Sequence, residues 1–310
     1  MSAPEIILHH YAFSPYAEKI RLALGIKGLA WRSVDVAMMP PRPLLDPLTG
    51  GYRRIPVLQV GADIYCDTHA ILPALERLAP EPSLYPGLGA PLAEGLTFGL
   101  ERDLWLAVIG VTVHFAGDLP GAFLRDRKDD YLYVDISHAA MEPDFARNAQ
   151  RVAAWTAWLT QALADGRPFL GGERAGAVDL AHYHLLWLMR GAERAASVDP
   201  LLGLGAVHGW IDRVAALGHG RPQEMSAEAA LEVAKAAEPA TVEAVNAVPD
   251  LIAVSPGDAV TVTPDDFARV PVEGRLVAVD AGRIVIRRDD PQAGALHLHF
   301  PRAGFTVAKG

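Results

Sequence analysis

The stretch from Ile6 to Gly28, IILHHYAFSPYAEKIRLALGIKG, decides the fold. Ile6-Ile7-Leu8 is a short β-rich run, and it leads through Ser14-Pro15 into a helical pattern. A serine hydroxyl can accept a backbone N–H of the first turn, and a proline at the first helical position gives up an N–H that would have had no partner there. Apolar residues recur at Ile20, Ala23 and Leu24, and Gly28 suits a left-handed stop. Trp31, Ser33 and Asp35 then alternate with Arg32, Val34 and Val36, a weak strand signal that completes a βαβ unit.

Working outward, a proline- and glycine-rich loop from Pro40 to Gly51 precedes Ile55-Pro56-Val57-Leu58-Gln59-Val60, the turn Gly61-Ala62-Asp63, and Ile64-Tyr65-Cys66, which together read as a hairpin. Asp67 caps a helical stretch, THAILPALERLAP, in which Pro73 removes one backbone hydrogen bond and should kink the helix. The prolines between Pro80 and Pro86 mark a domain boundary. Apolar faces at helical spacing follow over Leu92–Ala116, Asp144–Ala164, Val178–Gly191 and Val207–Leu217, and Glu224–Ala237 reads as one more helix. Beyond Pro249 the runs AVTVT, RLVAV, RIVIRR, ALHLHF and FTVA alternate between turn signals. The reading is an α/β domain over residues 1–79, a linker over 80–89, an all-α domain over 90–240 and a small, mostly β module over 241–310.

The chain has 310 residues, more than one hydrophobic core usually serves, and its 51% hydrophobic and 21% charged composition is that of a folded protein. With 28 Lys and Arg against 37 Asp and Glu the net charge is -9, which excludes a general binder of nucleic acid or anionic membrane. Cys66 is the single cysteine, so neither an intramolecular disulfide nor a multi-cysteine metal site can form. The amino terminus lacks a signal-peptide pattern, and the longest apolar run, around Leu104 to Val113, is too short to span a bilayer. A cytoplasmic location is the expectation.

Three motifs in order carry a resemblance: Phe13-Ser14-Pro15-Tyr16-Ala17-Glu18-Lys19-Ile20-Arg21, Arg54-Ile55-Pro56-Val57-Leu58 and Asp67-Thr68. They resemble cytosolic glutathione transferases, especially the tau and omega classes, with a thioredoxin-like first domain and an all-α second domain. The likeness does not reach residues after about 240. It implies a homodimeric, detoxification-type transferase that takes glutathione as co-substrate and attacks an apolar electrophile.

Carried over residue by residue, the resemblance makes Ser14 the group facing the glutathione sulfur, where a hydroxyl donor and the positive end of a helix dipole favour thiolate over thiol. A plain N-cap is the other reading of Ser14, and Tyr11 is the alternative catalytic residue, since tyrosine-type members use a phenol after the first strand. Omega members have a cysteine where Ser14 stands, and a serine cannot form a mixed disulfide, so the sequence argues against an omega-type reductase and towards activation of glutathione as nucleophile, despite the omega-like Ala17-Glu18. Pro56 matches the family's cis-proline, which would turn the Ile55 backbone toward the cysteinyl part; an ordinary trans proline is the alternative. Asp67 and Thr68 match the pair that holds the γ-glutamyl group, and Arg54, with Arg53 competing, matches the holder of the glycyl carboxylate.

In the second domain Phe169-Leu170-Gly171-Gly172 and Val178-Asp179-Leu180-Ala181 are similar to the family's buried helix-capping segment, but the capping hydroxyl falls on Gly176. Losing that cap is worth a few tenths to about 1 kcal/mol. Phe13, Trp105, His114 and Phe115, together with Tyr131 and Tyr133, are the candidates to line an apolar substrate site, and Gly117–Met141 reads as a long loop bordering it. No metal is expected. His182 and His184 are two apart on a helix and diverge, whereas His297 and His299 share a strand face without nearby cysteines or evident carboxylates. A non-catalytic binding or assembly protein, and a glutathione-dependent isomerase or lyase, are the competing functions.

Overall fold

The computed structural model describes residues 5–191, 193–243 and 254–310. The opening of the β module, within 244–253, lies outside the described residues. The chain divides into two compact units, residues 1–20, 29–78 and 221–310 in the first and 21–28 and 79–220 in the second.

The first unit opens with β1 (Ile7–His10), α1 (Pro15–Ile26), β2 (Ala30–Asp35), the short α2 (Asp46–Thr49), β3 (Val57–Val60), β4 (Asp63–Cys66) and α3 (Thr68–Leu78). β1 pairs in parallel with β2 and antiparallel with β3, and β3 turns back on β4 through Gly61 at φ 61°. This is the thioredoxin-like arrangement. α3 runs unbroken past Pro73. α1 is buried on nearly every side, its charged Glu18, Lys19 and Arg21 included.

The second unit is helical: α4 (Ala90–Ala116), α5 (Gly121–Asp126), α6 (His138–Met141), α7 (Phe145–Ala162), α8 (Ala177–Arg190), α9 (Ala195–Leu202) and α10 (His208–Ala215). α4 packs on both α7 and α8. Where the sequence suggested a loop over Gly117–Met141, the structure has α5, a π-helical turn over Arg127–Tyr131 and α6. The cause is Arg127, whose guanidinium lies 4.3 Å from the centre of the Phe123 ring and 4.7 Å from that of Tyr131, while its carbonyl accepts the Leu132 N–H. A charge-rich segment is thereby wound around one buried arginine, a contact that periodicity does not register.

The chain then returns to the first unit with β5 (Arg221–Glu224), α11 (Ala227–Lys235), β6 (Ala259–Pro264), β7 (Val272–Val279), β8 (Arg283–Asp290), β9 (Gly294–Pro301) and β10 (Phe305–Lys309). β5 is a four-residue edge strand added parallel to β2, with no hydrophobic signal because all four residues are exposed. The additional C-terminal strands form a β module, and they continue the same sheet: β9 pairs in parallel with β4, giving the order β10-β6-β7-β8-β9-β4-β3-β1-β2-β5. An otherwise open edge at β4 is thus covered. Tyr52, Ile55, Ile64 and Cys66 share one apolar core with Leu231, Val262, Ile286, Phe300 and Phe305. On the α11 side, Gln59 ties the layers together, its Oε1 2.8 Å from His9 Nε2 and its Nε2 donating to the Ala230 carbonyl at 2.8 Å. Among the described residues no helix is long and apolar enough to cross a membrane.

Candidate functional site

The chain turns from β1 into α1 through Tyr11-Ala12-Phe13-Ser14. Ser14 is buried, its N–H donates to the Tyr11 carbonyl at 3.2 Å, and its Oγ accepts the Ala17 N–H at 3.1 Å. This is N-cap geometry. A hydroxyl carries one donor and two lone pairs, so accepting from Ala17 leaves its O–H to donate elsewhere. Capping and thiolate stabilisation are therefore compatible at this one atom, and the N-terminal end of a twelve-residue helix adds its positive dipole. Tyr11 is half-buried against the apolar core, and Phe13 is 78% exposed.

The Ile55–Pro56 peptide is cis, and Ile55 is buried. Asp67 sits at φ 82°, a left-handed conformation that aspartate tolerates better than most residues, and its Oδ1 accepts the His69 N–H at 3.0 Å at the start of α3. Thr68 is buried and its Oγ1 accepts from Lys19 Nζ at 3.2 Å. Lys19 thus bridges α1 and the start of α3, a role missed by sequence reasoning. Its signal was present: a lysine in a helix that is buried all round must find a partner.

Arg54 lies 3.5 Å from Asp67 Oδ2, and it also pairs with Asp266 and donates to the Phe267 carbonyl, both on the C-terminal module. Its guanidinium stands 5.7 Å from the centre of the Phe305 ring. Arg53 contributes its carbonyl to a different cation: buried Arg42 donates to the carbonyls of Ala37, Met38 and Arg53 at 2.7, 2.9 and 2.6 Å, which fixes the loop before β3. The structure thus brings Arg54 together with Asp67, and Thr68 with Lys19. Burial, reinforced by neighbouring Asp67, pushes the Cys66 thiol well up, so it is a poor nucleophile.

Trp105, His114 and Phe115 are half-buried on α4 in the second unit. His114 stacks on Phe145 with ring centroids 3.5 Å apart, and its Nδ1 lies 2.7 Å from Glu142 Oε2.

A family model for the glutathione S-transferase N-terminal domain matches residues 8–83. A GST-like protein from Pseudomonas syringae is 32% identical, covers 99% of this chain and 100% of its own, and superposes with a TM-score of 0.81. The chain belongs to the glutathione S-transferase family. A tau-class glutathione S-transferase from mango, Mangifera indica, superposes with a TM-score of 0.51 at 19% identity, covering 69% of this chain and 90% of its own. Glutathione transferase GSTFuA3 from Phanerochaete chrysosporium gives 0.54 at 19% identity, covering 70% and 98%. These two share the fold; the Pseudomonas syringae protein aligns with this family member almost end to end. No curated protein matches the chain.

Proposed function

We propose that this protein binds glutathione beside the start of α1 and activates its thiol for attack on an apolar electrophile. The observation that carries the proposal is the Ser14 hydroxyl, buried at the helix N-terminus, already capped through a lone pair, with its proton still available. In this reading the Ser14 O–H donates to the glutathione sulfur and holds it as thiolate; the thiolate forms a bond to an electrophilic carbon while the leaving group departs or the adjacent π bond takes the electron pair. The Ile55 backbone pairs with the cysteinyl part, Asp67 and Thr68 hold the γ-glutamyl end, and Arg54 holds the glycyl carboxylate. Trp105, His114 and Phe115 are the candidates for contacts to the apolar substrate. The protein acts as a cytoplasmic homodimer in detoxification.

Calorimetry with glutathione, followed by turnover of an aryl halide, tests this. Binding with turnover that falls in Ser14→Ala while affinity is kept supports it; equal turnover in both forms removes the role of Ser14.

One observation favours a second reading, a non-catalytic binding or assembly protein. Arg54 already pairs with Asp67 and Asp266. If those pairs hold Arg54 away from any ligand, neither the unmodified protein nor Asp266→Ala should bind at millimolar glutathione. If Arg54 is shared with the glycyl carboxylate, Asp266→Ala should tighten binding instead.

A further inference from the structure

β9 carries His297 and His299 two residues apart, so their side chains leave the same face of the sheet. The parallel pairing of β9 with β4 sets Asp63 directly beside His297 and Tyr65 beside His299. All three of Asp63, His297 and His299 are buried. His299 Nε2 lies 2.7 Å from Asp63 Oδ1 and His297 Nδ1 lies 3.9 Å from the same oxygen, with the three ligand atoms all within 4.8 Å of one another. A hydrogen-bonded Asp63–His299 pair alone would account for two of these side chains. It does not account for His297, which is 8% exposed and whose Nδ1 is buried without a hydrogen-bond partner among the described residues. Such an orphaned ring nitrogen, aimed at a carboxylate oxygen, carries a cost unless something electron-accepting joins it.

We propose that Asp63 Oδ1, His297 Nδ1 and His299 Nε2 bind one divalent transition ion of the zinc class, at the seam where the C-terminal strands join the thioredoxin-like sheet. Tetrahedral zinc with bonds of about 2.0–2.1 Å separates its ligand atoms by roughly 3.3 Å. The observed 2.7 and 3.9 Å fall on either side of that separation, and the two ring nitrogens, within 4.8 Å of each other, must also draw together, so both rings turn on metal binding. Outer contacts that orient the ligands are already built: the Ala240 N–H donates to Asp63 Oδ2 at 2.8 Å, and His299 stacks on Tyr65 with ring centroids 4.4 Å apart. Two imidazoles and one carboxylate suit zinc, cobalt or nickel and not calcium or magnesium, which need several oxygen ligands. Arg77, Arg283 and Arg287 are near enough to act on these histidines. They raise the cost of added positive charge for any divalent ion, zinc included, and the Asp63 carboxylate offsets part of it.

The second cluster of this kind among the described residues, His114, His138 and Glu142 in the helical unit, is partly exposed and serves as the internal control. The full-length protein, stripped with chelator, is titrated with Co(II) and then Zn(II), following the visible ligand-field bands of cobalt and metal content per chain. The expected result is one equivalent of Co(II) with tetrahedral bands, displaced by Zn(II). Affinity should fall in His297→Gln by more than the about 10–100-fold that losing an outer contact costs, and stay unchanged in His114→Gln. Lack of stoichiometric binding by the unmodified protein overturns the proposal without any variant having to fold. So does binding that survives His297→Gln or that disappears in His114→Gln.

Discussion

At the start of α1 the cap is the Ser14 hydroxyl, which accepts the Ala17 N–H. At the start of α8 the equivalent place is Gly176, and the capping acceptor comes from inside the helix: Asp179 Oδ2 takes the Gly176 N–H at 3.1 Å, and Oδ1 takes the Leu170 N–H and the Trp210 indole N–H, both at 2.8 Å. Glycine at position 176 is explained by space. A Cβ there would stand 2.7 Å from the Leu84 carbonyl oxygen and 2.4 Å from Pro86 Cδ. The Ala177 N–H meanwhile donates to that same Leu84 carbonyl, at 2.7 Å. The first start keeps a proton to donate after capping itself, whereas the second commits its carboxylate to the fold. That contrast separates a helix terminus with a donor left over from one whose polar groups are all used by the fold.

The contrast is broken most severely by Asp179→Ala, which would leave the N–H groups of Leu170 and Gly176 and the Trp210 indole without their acceptor. A loss of about 3–4 kcal/mol is expected in urea unfolding. A loss below about 1 kcal/mol would mean that water takes over those donors.

Acid should cost nearly as much, through a residue at neither helix start. Burial holds the His9 imidazole at a pKa of about 4, with its hydrogen bond to Gln59 opposing the effect. The unfolded chain takes up this proton near pH 6.5, before the folded one does, so the stabilisation is complete above about 6.5 and is lost as pH falls toward 4. About 3 kcal/mol is at stake for His9. His182, also lowered to about 4 by burial, keeps partial solvent access and adds less than that value suggests. Stability measured from pH 7 to 4 should fall in parallel for the unmodified protein and Ser14→Ala, and fall less in His9→Asn.

Gly176→Ser sharpens the comparison further, because helix-capping preference alone predicts a gain. The close approach of Leu84 and Pro86 predicts a loss of about 1–3 kcal/mol instead, read as a lowered thermal midpoint. The smallest effect belongs to Ser14→Ala, where losing the cap should cost about 1 kcal/mol of stability. A much larger loss would show Ser14 to be chiefly structural.

Much of this is legible in the sequence. Ser14-Pro15 and Gly28 bound α1 because caps are local chemistry, and the strands of the C-terminal module follow from alternation between turn residues. What local patterns could not carry was the partner of each strand. The pairing of β9 with β4, and of exposed β5 with β2, joins residues more than 180 positions apart in sequence. The same distance hid the chemistry at Arg54, whose Asp266 neighbour lies on the module, and at His297 and His299, where the sequence showed no carboxylate and the fold supplies Asp63. Gly176 read as a missing cap until Leu84 and Pro86 were seen to fill the space.

The most direct test of the Ser14 account is the pKa of the bound glutathione thiol, followed by thiolate ultraviolet absorbance across a pH titration at saturating glutathione. The account predicts a value below that of free glutathione in the unmodified protein, rising by about one to two pH units in Ser14→Ala, the equivalent of one hydrogen bond to a charged group. The same pKa in both proteins would contradict it.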